Sequence, residues 1–418
     1  MSRRALRLIP VLFGLAACGA DADSDVGGDI RYDTVAGIPR VLNGPLAGWD
    51  SAAAWRLEED LRIGDREGAF AFASIRDVDV DAAGRIYLLD EQAAEVRVFD
   101  TQGAHLRTIG RSGSGPGEMR RPTAIAVGSD ADVWVADTGR RLLMGFDSAG
   151  NLLHEVRRPS DRAATDLGID VKGRIVEAQT PVQLNAASLD SGRTVYTPLL
   201  VRLDPSAPDH ADTVRLPPYV WPADNGGRRG IAPGTDQRRW FTLPGLFAKA
   251  PQWVPDPEGF VWYASGESYT VHRISLEGDT LGTFIREVEP EPVPEAYRDS
   301  LLVIWSRMGA PGPRLVAETL PFFSMPSPFE AILNGSFSAS ADGRLWARRF
   351  GTGSAGAGGD ARFDVFESDG RYLGEVVAPY PLELRPVPVV TESALYGVVR
   401  DELDVPYVVR LRIVRPGG

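Results

Sequence analysis

The feature that most constrains this chain is an internal repeat of short strands and turns. From Asp77 to Gly110 the sequence reads DVDVDAAGRIYLLDEQAAEVRVFDTQGAHLRTIG, and from Ala124 to Val156 it reads AIAVGSDADVWVADTGRRLLMGFDSAGNLLHEV. Each copy has a short apolar strand, an Asp or Gly turn, a second strand with an aromatic in its middle, a third strand, a turn and a fourth strand. Asp90 aligns with Asp137, and Tyr87 with Trp134. The same register ends further second strands at Gln179, Ser265, Arg349 and Val399, which makes six copies. The marks are 47, 42, 86, 84 and 50 residues apart, and a four-stranded blade takes about 40 to 50 residues. The two long gaps already hold third and fourth strands, LLVRLD with DTVRLP and YTVHRIS with DTLGTFIRE. Their surplus therefore reads as insertion: a Pro-, Gly- and Arg-rich loop at 217–247, and a second insertion at 288–328. An eight-bladed count is the alternative.

The ends of the chain bear on closure. The sixth copy finishes with YVVRLRIV, Tyr407 to Val414, leaving no room for a fourth strand before Pro416. Near the start, WRLEEDLRIG from Trp55 to Gly64 matches the fourth strand HLRTIG of the first copy, with Leu61-Arg62 against Leu106-Arg107. A strand donated from the N-terminal side would complete the last sheet and leave no open edge in the ring. The expected fold is an all-β, six-bladed β-propeller closed by an N-terminal strand, with a small helical insertion between the fourth and fifth blades. The helix is read from PEAYRDSLLVIWSRM: Pro294 suits a first helical turn, and Tyr297, Leu301, Ile304, Trp305 and Met308 share one face. Docked on the ring, this helix with Trp305 would act as a partial lid.

Residues 1–17, MSRRALRLIPVLFGLAA, carry Arg3, Arg4 and Arg7 ahead of an apolar run too short to span a bilayer as a helix, the pattern of a signal peptide. Leu15-Ala16-Ala17-Cys18 is similar to a bacterial lipobox, and Cys18 is the sole cysteine. Lipid on Cys18 would anchor the chain, and residues 18–29, small and acidic, read as a flexible tether to a body at 30–418. By the sorting rule of such lipoproteins, Gly19 points to the outer membrane, on its periplasmic or cell-surface face. The net charge of -12 disfavours nucleic acid as a partner.

The run I109-G-R-S-G-S-G-P-G-E118, leading into R-R-P-T-A-I-A-V, resembles the blade junction of NHL-like six-bladed β-propellers of bacterial lipoproteins. The resemblance extends over most of residues 50 to 416. It implies the fold and little chemistry, and the family's Asp is absent at Gln179, Ser265, Arg349 and Val399.

Gly113 to Gly117 could suggest a phosphate loop, but no GKS or GKT follows and Pro116 removes a donor, so it reads as a connection between blades. His105, His154, His210 and His272 show no metal-ligand spacing. No GxSxG elbow is present. Asp90 and Asp137 are expected to cap the turns that follow them. Trp134, Trp262 and Trp346 share the position of Tyr87 and belong to the core between blades, whereas Trp221, Trp240, Trp253 and Trp305 are placed to line a pocket mouth or pack locally. These features assign no catalytic residue, metal or cofactor. They point to a binding or interaction module for a protein or small-molecule ligand at the insertion-bearing end of the ring. The ligand-binding candidates are Arg76, Arg121, Gln252 and Trp253, near the starts of innermost strands, and Arg140, after a second strand. The rival expectation is a propeller enzyme, a metal-dependent lactonase, hydrolase or lyase, with its site at the central channel.

Overall fold

A computed structural model of the chain describes residues 29–49, 53–68, 70–158, 167–179, 193–207, 210–222, 229–231, 240–242, 252–265, 268–288, 337–349 and 360–416. Alternating apolar residues bounded by Asp/Gly turns fold as antiparallel four-stranded units. Blade one comprises Ile75–Val80, Ile86–Asp90, Glu95–Phe99 and His105–Ile109, and blade two Pro122–Val127, Val133–Asp137, Leu142–Phe146 and Leu152–Arg157. Blade three follows with Leu167–Ile169, Ile175–Gln179, Leu199–Leu203 and Ala211–Arg215. Blade four is built on Gln252–Pro255, Phe260–Ala264, Thr270–Ser275 and Thr280–Arg286, and blade five on Phe337–Ala339, Leu345–Arg348, Arg362–Phe366 and Tyr372–Val377. Blade six joins Val389–Val390, Ala394–Arg400 and Pro406–Val414 to Arg56–Ile63 from the other end of the chain.

That last pairing closes the ring. Arg56 faces Val414 and Ile63 faces Val408, with one irregularity between Glu59 and Leu61. The core lies between blades, and each seam has its own apolar cluster. Tyr87 and Val135 join blades one and two, Trp134 and Leu203 join two and three, and Val176 and Tyr263 join three and four. Trp262 and Phe366 join four and five, Trp346 and Leu411 join five and six, and Tyr396 and Ile86 join six back to one. The residue in the middle of each second strand therefore packs against the next blade. Tyr87, Trp134, Trp262 and Trp346 are all buried.

The N-terminal segment does more than supply one strand. Ile30–Val35 and Ile38–Asn43 form a hairpin across Ala36 and Gly37, whose φ values of 51° and 83° suit a two-residue turn. Its second strand runs parallel to Thr280–Arg286, so blade four has six strands. The chain then crosses the outer edge of blade five, where the Gly48 and Trp49 amides donate to the Leu373 carbonyl at 2.8 and 3.1 Å. Buried Asn43 fastens the crossing by donating to the Gly370 carbonyl at 3.0 Å and accepting from the Tyr372 amide at 2.8 Å. Trp49 packs tilted against Trp55, and Trp55 against Trp346, with centroid separations of 5.2 and 6.1 Å. Residues 30–63 thus strap blades four, five and six together.

The insertion expected at 217–247 contains short paired strands among its described residues. Tyr219–Pro222 pairs with Arg193–Tyr196, and Arg229–Ile231 pairs with Trp240–Thr242. The helix expected at 294–308, with Trp305, lies outside the described residues, as do the signal segment and Cys18. Among the described residues there is no helix long and apolar enough to cross a membrane.

Candidate functional site

The innermost strands of all six blades surround a channel of about 480 Å³. Its polar wall includes Asp77 and Asp79 from blade one, Gln252 from blade four, Ser338 from blade five and Arg385 from the connection into blade six, while Trp253 supplies an aromatic surface. Strands within a blade alternate in direction. The connections from second to third strands, and from one blade to the next, therefore emerge at the same end of the ring. Both insertions leave and rejoin the blades at this rim.

Asp77 and Asp79 stand two residues apart on the first strand of blade one. Each accepts the amide of the following residue with one oxygen, Val78 at 3.0 Å and Val80 at 2.8 Å. With the other oxygen each accepts an amide from the innermost strand of blade two, Ile125 at 2.8 Å and Val127 at 2.7 Å. The carboxylates thus act as hydrogen-bonding bridges across a seam that no strand pairing spans. Desolvation pushes the Asp79 carboxyl up to about 6 against the lowering effect of the Val127 and Val80 amides, with Asp81 raising it further.

Arg348, at the end of a second strand, is buried and donates to the Leu382 carbonyl at 2.6 Å and to the Glu383 carbonyl. Burial lowers its guanidinium to about 10. These bonds fix the connection that brings Arg385 to the channel. Between blades two and three, Arg158 and Glu177 form a buried ion pair. Desolvation raises the Glu177 carboxyl, and Arg158 opposes that rise.

The candidates named from sequence fall into three groups. Gln252 and Trp253 line the channel. Arg76 and Arg121 stand beside it on the insertion-bearing rim, where Arg76 Nε lies 3.9 Å and Arg121 Nε 3.8 Å from the two carboxylate oxygens of Glu91. Arg140 instead clasps the junction between blades one and two, donating to the Gly115 carbonyl at 3.0 Å, the Glu118 carbonyl at 2.7 Å and Glu155 at 2.8 Å.

The glycine turn in this junction is filled by the chain itself. Glu118 Oε2 accepts the Ser114 amide at 2.9 Å and the Gly115 amide at 2.8 Å, which occupies the position an anion would take. Asp90 accepts the Gln92 and Ala93 amides, both at 3.0 Å. Asp137 accepts those of Gly139 and Arg140 at 2.8 and 3.1 Å, and also reaches Arg120 and Arg121 at 2.7 and 3.0 Å. His154 stacks on Trp134 with centroids 5.7 Å apart. Burial lowers the pKa of His272, beside Tyr263. Among the described residues, no group of three or more His, Cys, Asp or Glu side chains could hold a metal ion.

Sequence reasoning passed over Asp77, Asp79, Ser338 and Arg385. The acids left a visible signal, the alternation Asp77-Val78-Asp79-Val80-Asp81 on an innermost strand. Arg385 left none, since it lies in an irregular connection.

A family model described as a 6-bladed beta-propeller matches residues 68–166. No curated protein sequence is significantly similar to the chain. Among solved structures, a protein of Bacteroides fragilis NCTC 9343 whose name assigns it to export is 10% identical and aligns with a TM-score of 0.50, covering 90% of this chain and 100% of its own. Virginiamycin B lyase from Staphylococcus aureus is 12% identical, with a TM-score of 0.43 and coverage of 86% and 100%. A gluconolactonase from Xanthomonas campestris is 13% identical, with a TM-score of 0.42 and coverage of 87% and 96%. At such identities the likeness concerns the fold alone. The fold is an all-β six-bladed propeller.

Proposed function

We propose that the chain is an exported propeller, lipid-anchored through Cys18, that binds a small molecule at the insertion-bearing mouth of its channel. The observation that carries the reading is the channel wall, where Trp253 offers an apolar face beside Gln252, Ser338 and Arg385. A concave site with one aromatic surface and a few convergent polar groups is the usual composition of a small-ligand pocket. The NHL-like lipoprotein resemblance and the LAAC segment support export and anchoring, on the outer membrane facing the periplasm or the cell surface.

The enzyme reading rests on Asp79, whose carboxyl at about 6 is near the range suited to proton transfer. Both of its oxygens already hold backbone amides across a blade seam, which favours a structural role and leaves binding ahead. Metal analysis of the purified protein separates the two: one tightly held calcium or zinc per chain moves the assignment to a metal-dependent enzyme. For binding, the test is a thermal-shift panel of small molecules on the parent and on Ala339→Trp, which adds bulk to the channel wall. A compound that stabilises the parent and not a folded Ala339→Trp supports the reading. Equal stabilisation of both by every active compound refutes it.

A further inference from the structure

Arg76 and Arg121 are two cations sharing one carboxylate. Neither guanidinium donates a hydrogen bond to any other described side chain or carbonyl, and their separations from Glu91, 3.9 and 3.8 Å, are too long for hydrogen bonds. Arg76 Nε is buried without a hydrogen-bond partner, a state that carries a desolvation cost. Buried nitrogens without a hydrogen-bond partner also occur in Arg107, Arg174, Arg273, Arg286, Arg344 and Arg415, but many arginines of this acidic chain hold a carboxylate closely. Arg40, Arg62, Arg85, Arg111 and Arg410, for example, lie within 2.5 to 2.8 Å of their carboxylates.

The placement of the pair is fixed by the backbone. Arg76 is the extra residue where the first strand of blade one shifts register between Ile75 and Asp77, a type of irregularity that redirects a side chain. Glu91 directly follows Asp90, which holds the next turn, and the Arg121 amide is held by Asp137. At the corresponding places in blade two stand Thr123 and Thr138, whose hydroxyls donate to the Ala136 and Arg121 carbonyls at 3.4 and 3.1 Å. The open cations are a feature of the seam between blades one and two, beside Asp77 at the channel wall.

We propose that Arg76 and Arg121 form a subsite for an oxyanion, the carboxylate or phosphate of a small ligand whose remainder enters the channel. Glu91 is the internal counter-charge that keeps the two guanidiniums apart and oriented in the unliganded protein. A planar guanidinium offers paired donors to such an oxyanion, and Arg121, with its side chain 70% exposed, is reachable from solvent. This assignment rests on the reading of the channel mouth as a binding site and adds the charge of the ligand.

The test titrates sodium phosphate and, separately, sodium succinate into the protein against sodium chloride at matched ionic strength, following the melting temperature and the 31P linewidth of phosphate. Saturable binding of either probe is expected. Arg76→Gln and Arg121→Gln should each weaken it at least tenfold, and Glu91→Gln should tighten it about tenfold by removing a like charge beside the anion. Binding of phosphate alone assigns a phosphate ester, and binding of both assigns an oxyanion in general. If wild type and Glu91→Gln both respond to the probes only as they do to chloride, or if both arginine variants bind as wild type does, the subsite is wrong. An uncharged compound that still distinguishes the parent from Ala339→Trp would then leave the channel reading standing.

Discussion

Replacing Asp79 by asparagine isolates the cost of holding a carboxylate in the seam between blades one and two. Its carboxyl sits at about 6, above the ordinary 3.8, because burial disfavours the charged form by more than the Val127 and Val80 amides favour it. A native pKa above the unfolded one means that the folded protein binds more protons between those values. The stability tied to this group is therefore fully present below pH 3.8 and is lost as the pH rises to about 6. At about 1.4 kcal/mol per pH unit, the whole swing is about 3 kcal/mol. Asparagine keeps the shape and does not titrate, but its amide cannot accept the second backbone N-H, so it also carries a pH-independent penalty. The pH-dependent part is the signal, and comparison of the two proteins cancels other titrating groups such as Asp256, which burial also raises to about 6. Urea unfolding between pH 4 and pH 8 should show the parent losing about 2 to 3 kcal/mol relative to Asp79→Asn on going from pH 4 to pH 7, then no further difference. Parallel stability curves for the two proteins would refute the reasoning.

Other outcomes follow from the same structure. Cys18→Ser should lose lipid labelling and membrane retention, and unchanged labelling would refute the lipobox assignment. Gly374→Ala should cost at least about 1 to 3 kcal/mol in urea unfolding, because the backbone there has a φ of 154° that favours glycine and a Cβ would also come within 2.1 Å of Trp49 Nε1 on the N-terminal strap; Trp49→Ala in the double variant should remove the clash and leave the backbone cost. Arg158→Ala should cost about 3 to 5 kcal/mol by leaving Glu177 buried and unpaired, whereas the double variant Arg158→Met with Glu177→Leu is expected near neutral or better by the same urea assay.

Much of the ring was legible because each blade repeats one physical demand. The central residue of a second strand must fill the seam to the next blade, so Tyr87, Trp134, Trp262 and Trp346 marked the register despite weak similarity elsewhere. The closing strand was legible because the sixth copy lacks a fourth strand and WRLEEDLRIG matches HLRTIG of the first copy; in the structure its Leu57 and Ile63 are buried in the neighbouring seams. The hairpin at Ile30–Asn43 was not read as part of blade four, since its partner, Thr280–Arg286, lies more than two hundred residues away and nothing local specifies a parallel pairing. At the site, position along the repeat located Gln252 and Trp253 in the channel and Arg76 and Arg121 on its rim. It did not reveal that Arg140 turns to the Gly115 and Glu118 carbonyls, because a long side chain can reach a nearby carbonyl as easily as a channel. The bridging work of Asp77 and Asp79 depends on blade two lying alongside, which one copy of the repeat does not reveal.

The central claim is a six-bladed ring closed by Arg56–Ile63. Its most direct measurement is urea unfolding of two shortened chains, one lacking residues 29–49 and the other lacking residues 29–64. Loss of the hairpin and crossing alone should leave a cooperative transition at lower urea, because seven register pairs between Arg56–Ile63 and Pro406–Val414 remain. Loss of the closing strand as well exposes the edge of Pro406–Val414 and removes Leu57 and Ile63 from two seams, so that chain should show no cooperative transition. A chain lacking 29–64 that unfolds cooperatively at the same urea concentration as the one lacking 29–49 would contradict the closure.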